Sequence, residues 1–107
     1  MMTAPFGERI RELRKKKGMT LDQLASATDS SKSYIWELEN KNPPRPSAEK
    51  IAKIAVALDV TGDYLMGADD VDLQSAEDRA FFRKYQTMSR ETRAKLLKLA
   101  KLLDEDK

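Results

Sequence analysis

The chain has 107 residues, 40% hydrophobic and 36% charged, with 20 Lys plus Arg against 18 Asp plus Glu. That length and a formal charge of +2 suit one folded domain with a short appendage, neither two full cores nor a disordered chain. With no cysteine and no histidine, disulfides, thiolate and zinc-finger sites, cysteine nucleophiles and imidazole acid/base chemistry are excluded, so no enzyme, metal or cofactor is expected.

Apolar positions recur at helical spacing almost throughout and strand alternation is not sustained, which predicts an all-α protein. Phe6, Ile10 and Leu13 form the stripe of a first helix that runs to a C-terminal cap at Gly18. Its outer surface carries Arg9, Arg11, Arg14, Lys15, Lys16 and Lys17 against Glu12. Such a cluster can lean on a phosphate backbone or be an ordinary solvated helix face. Thr20 opens a second helix in capping-box form, with Gln23 three residues on and Leu21, Leu24 and Ala25 as its buried face. Asp29, Ser30 and Ser31 stop it, and Ser31 caps a third helix that reaches Asn40.

The run Asn42-Pro43-Pro44-Arg45-Pro46 cannot be helical, because prolines delete donors and push their predecessors to extended backbone. Ser47 caps a fourth helix with the face Ile51, Ile54, Ala55 and Leu58. The longest uninterrupted apolar run, Ile54 to Leu58, lies in it and is too short for a signal or membrane segment. No membrane association and a cytoplasmic location are therefore expected. Thr61 starts a brief fifth helix carrying Tyr64 and Leu65, and Gly67 ends the unit. The predicted organisation is a domain over residues 1–67, an acidic linker over 68–74 and a helical extension over 75–107, with helix starts at Ser75 and Ser89.

Two short helices joined by a turn of three or four residues, with one helix before and two after, give the outline of a helix-turn-helix unit. The joint spacing of Leu21 to Ala25, Asp29, Ser31, Ile35, Leu38 and Glu39 resembles the Cro-like and XRE-type phage repressor family. Arg9-Ile10-Arg11-Glu12-Leu13-Arg14 before it, and Ala52 to Val60 followed by Asp63-Tyr64-Leu65 after it, resemble the same family's first, fourth and fifth helices. The match spans roughly residues 7–66. It implies a five-helix lambda-repressor-like domain, here with a C-terminal two-helix extension, that binds a double-stranded DNA operator. Asp29 stands where the family usually has Gly at the turn, and Ser30 replaces a small aliphatic, so either the packing between the two helices is looser or the hydroxyl must find a partner.

Helical geometry sorts the third helix independently. Advancing about 100° per residue from Lys32 puts Lys32, Trp36, Ser33 and Glu37 on one side, and Tyr34, Leu38 and Ile35 on the other. The apolar side must pack, which leaves Lys32, Ser33, Trp36 and Glu37 to enter a major groove, as the resemblance also implies. For Trp36 the alternatives are the core, thymine methyls or sugars, or a subunit contact. The resemblance further implies that Thr20 and Gln23 hold a phosphate, beyond serving as the capping box. It places Asn40, Lys41 and Arg45 against the DNA backbone, where a plain solvated loop is the alternative. It also makes Arg14 and Glu39 a structural ion pair that ties the first helix to the end of the third.

In the extension, Asp78, Phe81, Phe82 and Tyr85 fall on one helix face, and Thr92, Leu96, Leu99, Ala100 and Leu103 on another, so the two helices can pair. They are too few for an independent core and need the main domain, a second copy or another protein to cover them. Phe81, Phe82, Tyr85, Leu96, Leu99 and Leu103 are the candidate dimer or partner contacts. The resulting expectation is a repressor that binds a pseudo-palindromic operator as a homodimer. The alternative is an antitoxin or partner-sensing regulator that binds another protein through residues 75–103 while its N-terminal domain controls its own operon.

Overall fold

The computed structural model describes residues 5–41, 43, 45–67 and 72–105. Seven helices follow in order: α1 (Pro5–Lys16), α2 (Leu21–Ala27), α3 (Lys32–Asn40), α4 (Ala48–Ala57), α5 (Gly62–Leu65), α6 (Leu73–Gln86) and α7 (Arg90–Glu105). Among the described residues no strand is present and no helix is long and apolar enough to cross a membrane. The fold is thus the all-α five-helix unit with a two-helix extension expected from the apolar spacing.

Local chemistry sets the helix starts. Thr20 Oγ1 accepts from the Gln23 amide at 3.1 Å while the Thr20 amide donates to Gln23 Oε1 at 2.8 Å, closing the capping box. Ser31, Ser47 and Thr61 accept from the amides of Tyr34, Lys50 and Tyr64 in the same way. The start of α6 departs from expectation. Asp72, not Ser75, is its cap, and the Ser75 amide donates to Asp72 Oδ1 at 2.7 Å. A carboxylate at the positive end of a helix competes better for those amides than a serine three residues later. Of the segment expected to be a linker, residues 68–71 lie outside the described residues, as do Asn42 and Pro44 of the proline run.

Three helix ends share one device, a residue of positive φ followed by an amide that reaches back five residues. Gly18 (φ 68) ends α1, with the Met19 amide on the Arg14 carbonyl at 3.0 Å. Asp29 (φ 53) and Asp59 (φ 57) fill the same position after α2 and α4, with Ser30 on Ala25 at 2.8 Å and Val60 on Ala55 at 3.0 Å. A left-handed non-glycine costs about 1–2 kcal/mol, and here both carboxylates meet lysines. Asp29 lies 3.0 Å from Lys53, while Asp59 is paired with Lys17 and, at 3.1 Å, with Lys84. The hydrogen bond from Lys53 holds the Asp29 carboxyl below its usual range, and that from Lys17 does the same for Asp59.

The core gathers Ile10, Leu13, Leu24, Ala25, Ile35, Leu38, Ile54, Ala55, Leu58, Val60 and Leu65, with Ala76 from the extension. α1 crosses α3, α2 packs on α3 and α4, and α5 closes the unit against α4 and α1. At the α1–α3 crossing Gly7 is required by space. A Cβ there would overlap the Leu38 carbonyl oxygen and approach that of Glu39 at 3.3 Å. Gly7→Ala is therefore expected to destabilise by about 1–3 kcal/mol, as overpacking does, despite alanine's better helix propensity. Urea denaturation checks this, and an unchanged midpoint would mean that α1 and α3 can part freely.

Candidate nucleic-acid interface

α3 presents its outer face because its ends are tied down. At the C-terminal end, Arg14 Nε and Nη2 donate to the two Glu39 carboxylate oxygens at 2.7 and 3.0 Å, and Arg14 Nη1 donates to the Met19 carbonyl at 2.9 Å. Glu39 is 1% exposed, and its hydrogen bond raises the Arg14 guanidinium further above its ordinary pKa. Arg11 adds a contact at 3.7 Å to Glu39 and bonds to the Glu39 carbonyl and the Asn40 side chain. The Arg14–Glu39 pair thus joins α1 to the last turn of α3, and the Arg14 guanidinium also holds the segment leading into α2.

The N-terminal end is held through the turn. Lys50 Nζ, from α4, donates to the Thr28 carbonyl at 2.8 Å, the Asp29 carbonyl at 3.0 Å and Ser30 Oγ at 2.9 Å. Thr28 is fully buried, and its hydroxyl donates to the Leu24 carbonyl at 2.8 Å. The hydroxyl that Ser30 introduces is thereby satisfied, and the ammonium caps the negative end of α2.

Between these anchors Ile35 and Leu38 are buried, whereas Lys32, Ser33, Trp36 and Glu37 are exposed on one face. Trp36 is 45% exposed and stands outside the core. Lys32 Nζ lies 3.8 Å from Asp22 Oδ2. Thr20 and Gln23 are exposed beside this face, engaged with each other in the capping box. Lys41 and Arg45 are exposed where the chain leaves α3, with Lys41 Nζ 5.7 Å from the Trp36 ring centroid. Asn40 differs from the others. It is half-buried, donates to the Trp36 carbonyl at 2.9 Å and accepts from Arg11, so its amide is committed to closing the helix.

Sequence reasoning missed Gly7 and Lys50, and it placed Arg11 in a basic cluster without its bonds to Glu39 and Asn40. A lone glycine inside a helical pattern costs stability and so asks for a packing reason, but nothing local marks Lys50, whose acceptors lie 20–22 residues back in the chain.

The extension forms a second candidate surface. α6 docks through Leu73, Ala76 and Ala80, with Lys84 on Asp59 and Lys16 on Glu77 at 3.5 Å. Its aromatic face points away, with Phe81 and Phe82 52% and 59% exposed. Tyr85 is half-buried, between Phe81 at 6.4 Å and the Arg93 guanidinium at 5.1 Å. The apolar faces of α6 and α7, which could pair, do not bury each other among the described residues. α7 buries none of its residues, and Leu99 and Leu103 are exposed with Leu96 partly so. Arg93 donates to the carbonyls of Tyr85 and Gln86 at the turn between the two helices.

The Helix-turn-helix family model HTH_3 matches residues 10–65. The HTH-type transcriptional repressor RghR of Bacillus subtilis is 32% identical over 99 residues, covering 92% of this chain and 67% of that protein. A crystal structure of SinR in complex with DNA is 34% identical with a TM-score of 0.54, covering 57% of this chain and 97% of the other. The SinR protein/SinI protein complex is 25% identical with a TM-score of 0.56, covering 94% and 98%. The chain spans about half the length of several further curated regulators that it matches.

Proposed function

The chain belongs to the XRE-type helix-turn-helix family, and on that premise we propose that it is a sequence-specific transcriptional repressor that binds a pseudo-palindromic operator as a homodimer. The observation that carries this reading is the exposed Lys32, Ser33, Trp36 and Glu37 face on a helix fixed at both ends. In the groove Lys32 donates to guanine, Glu37 accepts from a cytosine amino group and Ser33 pairs with several base edges. Lys41 and Arg45 face phosphates, with Thr20 and Gln23 at the α2 N-terminus. The fold holds the groups in register and performs no bond chemistry; repression follows from occupancy.

Genomic-fragment selection with the full chain, followed by footprinting, tests the reading. It should return a two-fold site whose half-sites lie about one helical turn apart, roughly 34 Å. On that site Glu37→Ala should cost about 1–3 kcal/mol and relax the preference at one base pair. Arg45→Ala should weaken specific and random DNA alike and lower the salt slope by roughly 1. Equal losses on both DNAs for Glu37→Ala would remove Glu37 from the reading face.

The exposed apolar residues of α6 and α7 favour a second reading, in which residues 75–103 hold another protein while α1–α5 control the operon. The likeness to SinR in its complex with SinI extends over this segment. Copurification of a second chain at fixed stoichiometry distinguishes it from a homodimer.

A further inference from the structure

Trp36 does more than lie on an exposed face. With Leu21 it walls an open notch of about 320 Å³ whose rim is Lys32, Ser33 and Glu37. Leu21 is half-buried with its inner side on the core, and Trp36 is 45% exposed. The notch therefore offers apolar surface at the centre of an otherwise polar and charged reading face. Its neighbours Lys32 and Lys41 are cations suited to a polyanion, and Lys41 over the indole helps to hold the ring in place. Of the base edges in a major groove only thymine carries an apolar group, its C5 methyl.

We propose that this notch reads a thymine methyl group, with Trp36 and Leu21 as the specificity-determining pair. The inference rests on the DNA-reading role proposed above and adds a base identity to it. Burying the methyl between the indole and the leucine removes apolar surface from water on both partners. A cytosine or a purine leaves that surface wet and sets a polar edge against it. Lys32, Ser33 and Glu37 then read the flanking positions by hydrogen bonding.

A preferred site is first selected with the full chain from a random synthetic duplex library, and each thymine of one half-site is then replaced by deoxyuridine, which deletes only the methyl. One position should lose affinity about fourfold, the value expected for one buried methyl, and Trp36→Ala should bind the thymine and uracil duplexes equally. The inference is overturned if no single replacement costs the unaltered protein more than twofold, or if Trp36→Ala keeps the same uracil penalty. Failure of the library to yield any preferred site overturns the DNA-reading role and the notch with it. The deoxyuridine series on the unaltered chain decides the matter even if Trp36→Ala does not fold.

Discussion

Arg14→Met is expected to destabilise the chain by about 3–5 kcal/mol, the range for leaving one charge of a buried pair without its partner. Methionine replaces most of the arginine stem but supplies none of the three donors that serve Glu39 and the Met19 carbonyl. Glu39, 1% exposed, is left with Arg11 alone, which is 3.7 Å away and 36% exposed. That residual contact sets the loss toward the lower end of the range. Glu39→Gln, which keeps the shape and one acceptor, should lose less. Equilibrium urea denaturation of the three proteins measures this. A loss below about 1 kcal/mol for Arg14→Met would assign the pair the energy of a surface contact. Because the pair also orients the end of α3, operator affinity at temperatures where the variant is folded should fall as well.

Ending the chain at Gly67 is expected to weaken binding to the full operator by about a hundredfold or more, because the second half-site ceases to be an intramolecular event. The five-helix body should remain folded. It keeps its own caps and all of the buried core except Ala76, Ala80 and the flanking Leu73, a loss of about 1–3 kcal/mol of burial. The ion pairs that disappear, Lys84 with Asp59 and Lys16 with Glu77, are exposed and contribute little. What goes with them is the exposed surface of Phe81, Phe82, Leu99 and Leu103. Sedimentation of both proteins should give a monomer for residues 1–67 and a dimer for the full chain. If the shortened chain dimerises equally well, the extension is not the dimer interface, and its apolar residues pass to the partner-binding reading.

The starts of α2 to α5 and the apolar stripes of the five-helix body were legible in the sequence because both are local, whereas the start of α6 at Asp72 was not. A capping hydroxyl such as that of Thr20 or Ser31 reaches only the next turn, and an apolar stripe is a property of one helix. The reading face of α3 followed from the same geometry, since burying Ile35 and Leu38 leaves Lys32, Ser33, Trp36 and Glu37 outside. The resemblance supplied the partnership of Arg14 with Glu39, which periodicity alone could not.

Tertiary structure decided what lies between elements. It set Lys50 against a turn twenty residues away, and lysines against the left-handed Asp29 and Asp59. It also turned the small face of α6 inward: Ala76 and Ala80 are buried while Phe81 and Phe82 remain outside. Hydrophobicity ranks the aromatic face as the one to bury, but close approach of a helix to a finished core favours the residues with the least side chain in the way. Sequence periodicity reports how apolar a face is. How near another backbone can come to it is fixed only when the rest of the chain has packed.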